Sequence, residues 1–377
     1  MGQHQDGNSH MKAALHTEIG KPLSLVDDVE LEGPKDGQVL IKTEYCGICH
    51  SDVSVLDSLD LTPMVLGHEA AGVVEEIGKG VTSVSKGDFV LMTPIGPCGN
   101  CEMCILERHT LCERGQTFVF GTLPDGSTPF SRNGFPVYQG LGVGGFAEYT
   151  VLEERNVIRV EKGIPLETVC LLGCGVQTGV GSVLNTAKVT PGSVVLVMGL
   201  GGVGLSVVQG ARIAEAKMII ASDPVEERRV KALQLGATNV FDPSDDDLVN
   251  AVMELTLGKG VDYAFDAVGN SELITLGLTV NKAGGSTIIV GAPSPEEELK
   301  FPSALHLMMS EKRLLGSLLG SCNAQEDIPL LVDFWQKGLL DLETMISHHY
   351  LLDEVNEGIE NLRNSTGIRS VVKLHAN

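Results

Sequence analysis

Positive charge is in short supply in this chain. Against 49 aspartates and glutamates stand 27 lysines and arginines, a net charge of −22 over 377 residues. That balance argues against nucleic acid or an anionic membrane surface as the main partner, while saying nothing about fold. An apolar leader is missing too. The first ten residues are polar, which reads against a secretory signal and suggests an added extension ahead of a start at Met11. The interval between Lys188 and Arg212 has no charge, but six glycines and Pro191 interrupt it, so a buried nucleotide-binding core explains it better than a membrane span. No internal repeat or low-complexity tract is present. Nor do the nine cysteines suggest a disulfide frame, because four cluster between 98 and 112 in a long chain. That usage indicates metal ligands in a reducing compartment, hence a cytoplasmic protein.

What is present fits a globular α/β protein: 43% hydrophobic residues and 45 glycines, in a chain long enough for two domains. Residues 11–150 read as short strands and turns. Val39–Tyr45 alternates, and Gly72–Ile77 is expected to pair with Phe89–Met92 across Ser85-Lys86-Gly87-Asp88. From 115 to 145 the composition suggests a long loop. From about 176 the pattern becomes alternating strands and helices. Candidate strands are Val194–Met198, Met218–Ser222, Asn239–Phe241, Asp262–Asp266, Thr287–Val290 and Arg313–Leu318, a six-stranded doubly wound sheet. After 320, Ile328–Trp335 and Glu354–Leu362 read as helices and Val371–Leu374 as a strand. This tail breaks the rhythm and is assigned back to the first domain. The expected domains are therefore 11–176, 177–320 and a return over 321–377.

The organising stretch is Val194–Gly204. Five apolar residues end in Gly199, Gly201 and Gly204, a G-x-G-x-x-G with Gly202 and Val203 inside it. A strand, a tight turn and a helix start with free N–H groups make a pyrophosphate seat. Asp223 lies at the end of the next apolar run, 19 residues past Gly204, where a carboxylate takes a ribose 2′-hydroxyl.

Two metal sets follow. Cys98-x2-Cys101-x2-Cys104-x7-Cys112 has the spacing of a closed four-thiolate zinc site; an iron–sulfur cluster fits less well, because the fourth spacing is wrong and no proline follows Cys112. Cys49, His68 and Cys174 are scattered, each near a turn. Two thiolates and an imidazole are a catalytic zinc set, with Asp52 and Glu69 placed to support a ligand or touch the metal transiently.

These segments resemble the zinc-dependent medium-chain alcohol dehydrogenases over residues 12–374. The blocks stand in order: C-G-I-C-H-S-D at 46–52, G-H-E-A-A-G at 67–72, the four-cysteine lobe, G-C-G-V-Q-T-G-V-G-S at 173–182 and G-L-G-G-V-G-L-S at 199–206. The resemblance implies a GroES-like β-rich catalytic domain interrupted by a Rossmann coenzyme domain, with the site in the cleft between them. It assigns Cys49, His68 and Cys174 to a catalytic zinc and Cys98, Cys101, Cys104 and Cys112 to a structural one. Ser51 becomes the proton-relay hydroxyl. His50 and Arg369 become coenzyme phosphate contacts, Thr178 and Val203 line the nicotinamide, Asp223 selects NAD and Arg228 touches the adenosine side. Ser54 stands where some members end the relay with histidine. Val53–Leu66, with Val55, Leu56, Leu59 and Leu61, lines either an apolar substrate channel or the domain core. Arg114 falls where thiol-adduct formaldehyde dehydrogenases keep a basic anchor, though the short preceding loop argues against that branch.

The implied reaction is reversible oxidation of an alcohol to an aldehyde or ketone, with hydride passing to NAD and two zinc ions per chain. A homodimer is expected, with a tetramer as the alternative. Rival readings are a nicotinoprotein with permanently held NAD and a second substrate, and a non-catalytic zinc- and nucleotide-binding protein.

Overall fold

The structure is a computed structural model that describes residues 10–299 and 303–375. All of the polar leader except His10 therefore lies outside the described residues. Two compact units emerge, one from Met1–Cys174, Asn323–Asp333 and Ile346–Asn377, the other from Gly175–Cys322 and Phe334–Met345.

In the first unit the longest strand, Gln38–Ile48, is the hub. Val39, Ile41 and Thr43 are buried while Leu40, Lys42 and Glu44 are only partly so, which suits a strand with one buried face. Glu69–Ile77 runs antiparallel along one side of it. Two strands share its other side: Tyr149–Glu153 pairs with Gln38–Lys42, and Arg369–Lys373 with Tyr45–Ile48. Phe89–Met92, Val157–Val160 and Ile346–Leu351 complete a seven-stranded sheet. The expected pairing across residues 85–88 is present, with Gly72 opposite Val90.

A second, five-stranded barrel corrects one expectation. The 115–145 segment is not a plain loop, because Phe130–Arg132 and Phe135–Gln139 form a hairpin that closes the barrel with His10–His16, Ser24–Leu31 and Met64–Val65. Its turn is Asn133-Gly134, both at positive φ (52° and 77°), the backbone that an Asn-Gly hairpin adopts. Phe130 and Val137 pair across the strands and point into the barrel core.

The second unit carries a parallel sheet in the order Asn239–Phe241, Met218–Ser222, Val194–Met198, Val261–Asp266, Asn281–Ile289, Arg313–Gly316. All six expected strands are present; only their ends move. The order reverses between Val194–Met198 and Val261–Asp266, the point where such sheets bind ligands. The chargeless interval is the buried central strand plus the helix Gly202–Ile213. No single helix among the described residues is long and apolar enough to cross a membrane.

The tail is divided. Ile346–Leu351 and Arg369–Lys373 join the first unit's sheet, but Phe334–Met345 clusters with the second. There the buried side chain of Gln209 accepts from Asp341 N (2.7 Å) and donates to Asp341 O (3.3 Å), while Arg212 donates to Leu339 O (2.9 Å). A buried amide needs such partners, and this stretch of chain supplies them.

Candidate functional site

The long strand ends at Ile48, and the chain turns at once into the helix His50–Ser58 with Cys49 as its extended N-cap residue. Asp52 sits in the first turn, where a carboxylate is favoured by the helix dipole. It is fully buried and has three donors: Cys49 N at 3.2 Å, Gly67 N at 3.0 Å and His68 Nδ1 at 3.0 Å. One carboxylate thus fixes the helix start, the next turn and the imidazole. Gly67 is required there: its φ is +87°, and a Cβ would come within 2.8 Å of the Phe146 ring.

With Nδ1 committed to Asp52, the other nitrogen of His68, Nε2, is buried without a hydrogen-bond partner. It faces Cys49, Glu69 and Cys174, whose ligand atoms and its own all lie within 4.8 Å of one another. Gly173 lets Cys174 in, since a Cβ there would meet Met92 O at 2.5 Å. Cys174, hydrogen-bonded to Cys49, draws that thiol well below its ordinary range against the cost of burial, and His68 adds to the effect. Burial opposes a charge on His68 as well, yet Asp52 and Cys49 hold the imidazole up at about 10. An orphaned imidazole nitrogen between two thiols, oriented through its other nitrogen by a carboxylate, is the donor set that zinc takes. The residues fit the metal.

The sequence sets Glu69 beside the metal ligands, and the resemblance gives Arg369 to a coenzyme phosphate. Here they form a buried ion pair with each other. Gly47 makes room for it, because a Cβ there would lie 2.5 Å from Glu69 Oε2. Removing either partner of such a pair strands a buried charge, at a cost of about 3–5 kcal/mol. Ser51 Oγ stands 3.7 Å from Cys49 Sγ, partly exposed, while His50 and Ser54 are exposed on the same helix. Leu56 is core, and Val53, Val55, Leu59 and Leu61 pack against that same core, which favours the packing reading for this segment.

The four-cysteine lobe brings its sulfurs within 4.8 Å of one another. Cys98 and Cys104 are 4.0 Å apart and Cys101 and Cys112 3.9 Å, far beyond a disulfide of about 2.0 Å. Four thiolates around zinc at about 2.3 Å stand about 3.8 Å apart, so this set also fits. Backbone N–H groups of Cys104 and Glu113 bring the Cys101 thiol down to about 6. Arg114, beside the lobe, pairs with Glu153 at 3.4 Å. The leftover Cys46 and Cys170 are pushed up by burial, Cys170 to about 12, and remain inert thiols.

In the second unit Gly199 takes φ +86°, and Gly204 packs so closely on it that a Cβ would lie 1.8 Å from Gly199 O. Gly201 caps the helix, with open space where its Cβ would be. The first-turn N–H groups of that helix, at Gly202, Val203 and Gly204, have no intrahelical acceptors, and the uncluttered glycine above them fits a pyrophosphate. Gly179 lies against Val203 O, which brings Thr178's helix onto the same turn. Asp223 is buried, its carboxylate accepting Leu200 N (2.7 Å) and Val225 N (2.8 Å), with Arg228 Nη1 at 3.9 Å. Sequence reasoning missed two neighbours. Arg229 donates to Asp223 O (2.7 Å) and pairs with Asp242 (2.8 Å), and Asp266 accepts from Val268, Gly269 and Asn270 N. The only signal for Arg229 was its place beside Arg228.

Comparison with known proteins adds the following. Residues 35–162 match the alcohol dehydrogenase GroES-like domain, and residues 202–337 the zinc-binding dehydrogenase domain. The chain is 40% identical over 366 residues to an NDMA-dependent alcohol dehydrogenase of Amycolatopsis methanolica, covering 96% of this chain and 98% of that one. It is 39% identical over 368 residues to an S-(hydroxymethyl)glutathione dehydrogenase of Escherichia coli, covering 96% and 99%. Benzyl alcohol dehydrogenase from Acinetobacter calcoaceticus is similar in structure, with a TM-score of 0.91 at 32% identity over 97% of this chain and 100% of that one.

The two thiol clusters separate by experiment. Cys104→Ser is expected to lower thermal stability or soluble yield, since it opens a closed site. Cys174→Ser is expected to abolish activity with the fold largely kept. Zinc analysis and a melting curve on each variant check both; activity surviving in the Cys174 variant would contradict the assignment.

Proposed function

This chain belongs to the zinc-dependent medium-chain alcohol dehydrogenases, and from that premise we propose that it oxidises a small alcohol reversibly with NAD, using two zinc ions per chain. The observation that carries the reading is the buried Cys49–His68–Cys174 cluster with its unpartnered His68 Nε2. Cys49, His68 and Cys174 would hold one zinc and the four-cysteine lobe the other. A zinc ion supplies Lewis acidity that lowers the proton affinity of a substrate oxygen, and the nicotinamide supplies a hydride acceptor.

The chain's own residues do the rest. Asp52 fixes the imidazole so that Nε2 is the atom offered. Glu69 and Arg369 keep a neutralised wall behind the cluster. Ser51, the hydroxyl beside Cys49, takes the proton that leaves the alcohol and passes it outward. Ser54 cannot store that proton as an imidazole would, and its exposure supports water as the outer acceptor. Asp223 favours NAD, because a fixed carboxylate accepts from a 2′-hydroxyl and repels a 2′-phosphate. Its two backbone donors support a rigid carboxylate there.

A second reading has a specific support. One relative is named for dependence on NDMA, which suits a nicotinoprotein that retains NAD and turns over with a second substrate. The intact ligand set argues against a non-catalytic scaffold. For assembly we propose a homodimer through the open edge of the parallel sheet. Among the described residues its last strand, Arg313–Gly316, is paired on one side only, and the adjoining helix Ala304–Ser310 exposes Leu305, Met308 and Met309. An unprotected edge beside an apolar patch is a self-complementary surface.

Three outcomes test these proposals. Purified protein given an alcohol and NAD should accumulate free reduced nicotinamide; if the coenzyme stays with the protein through gel filtration and added NAD gives no turnover, the nicotinoprotein reading replaces the main one. Ser51→Ala should lower kcat/KM by about 10²–10⁴, the range of a positioned acid–base group, whereas Ser54→Ala should cost little. A loss under about threefold in the Ser51 variant, with zinc content unchanged, would remove Ser51 from the proton path. Sedimentation should give twice the chain mass; one or four times that mass would refute the dimer.

A further inference from the structure

The two arginines after the coenzyme carboxylate are not equivalent. Arg228 approaches the Asp223 carboxylate, whereas Arg229 binds that residue's peptide carbonyl at 2.7 Å and pairs with Asp242 at 2.8 Å. Asp242 directly follows the neighbouring parallel strand Asn239–Phe241, whose Phe241 carbonyl accepts Asp223 N at 3.3 Å. Asp242 is itself fixed by its own turn. Its Oδ1 accepts Ser244 N at 2.9 Å, and its N–H donates to Asp246 at 3.0 Å. Both side chains of the pair are mostly shielded, 16% and 21% exposed, so the pair is not a fluctuating surface contact. The N–H of Ser244 and the Arg229 guanidinium hold Asp242 below the usual carboxylate range.

Doubly wound proteins that accept NADP do so with an arginine near this strand end, directed at the 2′-phosphate. A chain that prefers NAD must therefore do more than present a carboxylate. It must keep adjacent guanidinium groups occupied, which is selection by denying the wrong ligand its partner. We propose that Asp242 is a second determinant of coenzyme choice: by pairing with Arg229 it holds that guanidinium on the Asp223 carbonyl and withholds it from a 2′-phosphate. The inference rests on the NAD reading above. Arg229 and Asp242 are positioning residues, acting on selectivity without being required for the chemistry.

Calorimetric titration of the zinc-loaded protein with 5′-AMP and with 2′,5′-ADP separates the terms. Asp223→Ser narrows the gap between the two nucleotides. Adding Asp242→Asn should tighten 2′,5′-ADP a further 3–10-fold or so, the worth of one partly shielded charge contact, with 5′-AMP unchanged within about twofold. Adding Arg229→Gln should erase that gain, and Asp242→Glu in place of Asp242→Asn should not produce it. A 2′,5′-ADP affinity indifferent to Asp242→Asn, or a gain that persists without Arg229, overturns the inference alone. Wild-type protein that binds neither 5′-AMP nor NAD overturns the NAD reading, and this inference with it.

Discussion

The Asp52 carboxylate is the contact on which the metal-binding half of the molecule depends. It is buried completely and carries hydrogen bonds from two backbone N–H groups and one imidazole. Burying a carboxylate is costly unless its oxygens are filled, so the three donors are held as firmly as the anion. Their places in the chain, 49, 67 and 68, are the places where the cluster must be assembled. A helix start, a glycine turn and a ligand are thereby set by one group.

The same device recurs in the parallel-sheet unit. Asp223 accepts Leu200 N and Val225 N, and Asp266 accepts three consecutive N–H groups after its strand. Burial raises the Asp266 carboxyl above its ordinary value despite those bonds. Each carboxylate stands at the C-terminal end of a strand, and each fixes a loop that would otherwise be free to choose its conformation. In doubly wound sheets the loops at this end are the ones that carry ligands, which gives such rigidity a use.

Much of this was legible in the residues. The parallel sheet could be read because Val194–Met198 and Met218–Ser222 are short apolar runs closed by a turn signal and set the rhythm for the rest, and the cysteine lobe because its spacing is short. The barrel hairpin was missed although Asn133-Gly134 announces it: the flanking strands are only three and five residues long, with Pro136 inside one, and the surrounding glycines masked them. Tertiary pairing decided the rest. Nothing local joins Glu69 to Arg369 across 300 positions, or Arg229 to Asp242, since those partnerships follow from which strands lie side by side. The split of the tail was equally invisible, because Phe334–Met345 meets the second unit through contacts distant in sequence, the hydrogen bonds of Gln209 and Arg212 and the buried Leu340, Leu342 and Met345.

The interleaving of the two units bears on how the chain is made. The parallel-sheet unit can gather nearly all its strands while synthesis continues, since they follow one another from Val194 to Gly316. The other unit cannot. The Tyr45–Ile48 part of its hub strand waits for Arg369–Lys373, which comes after every strand of the other unit in the chain, and the cation that neutralises Glu69 arrives on that same strand. Domains tend to fold as units in order of emergence, yet here the unit that comes earlier in the chain is completed only after the other. Until then the growing chain carries an open sheet edge and an uncompensated acid beside Cys49 and Cys174. The strand Arg369–Lys373 thus acts as a closing stave, and the cluster acquires its finished surroundings only after the parallel-sheet unit has been made.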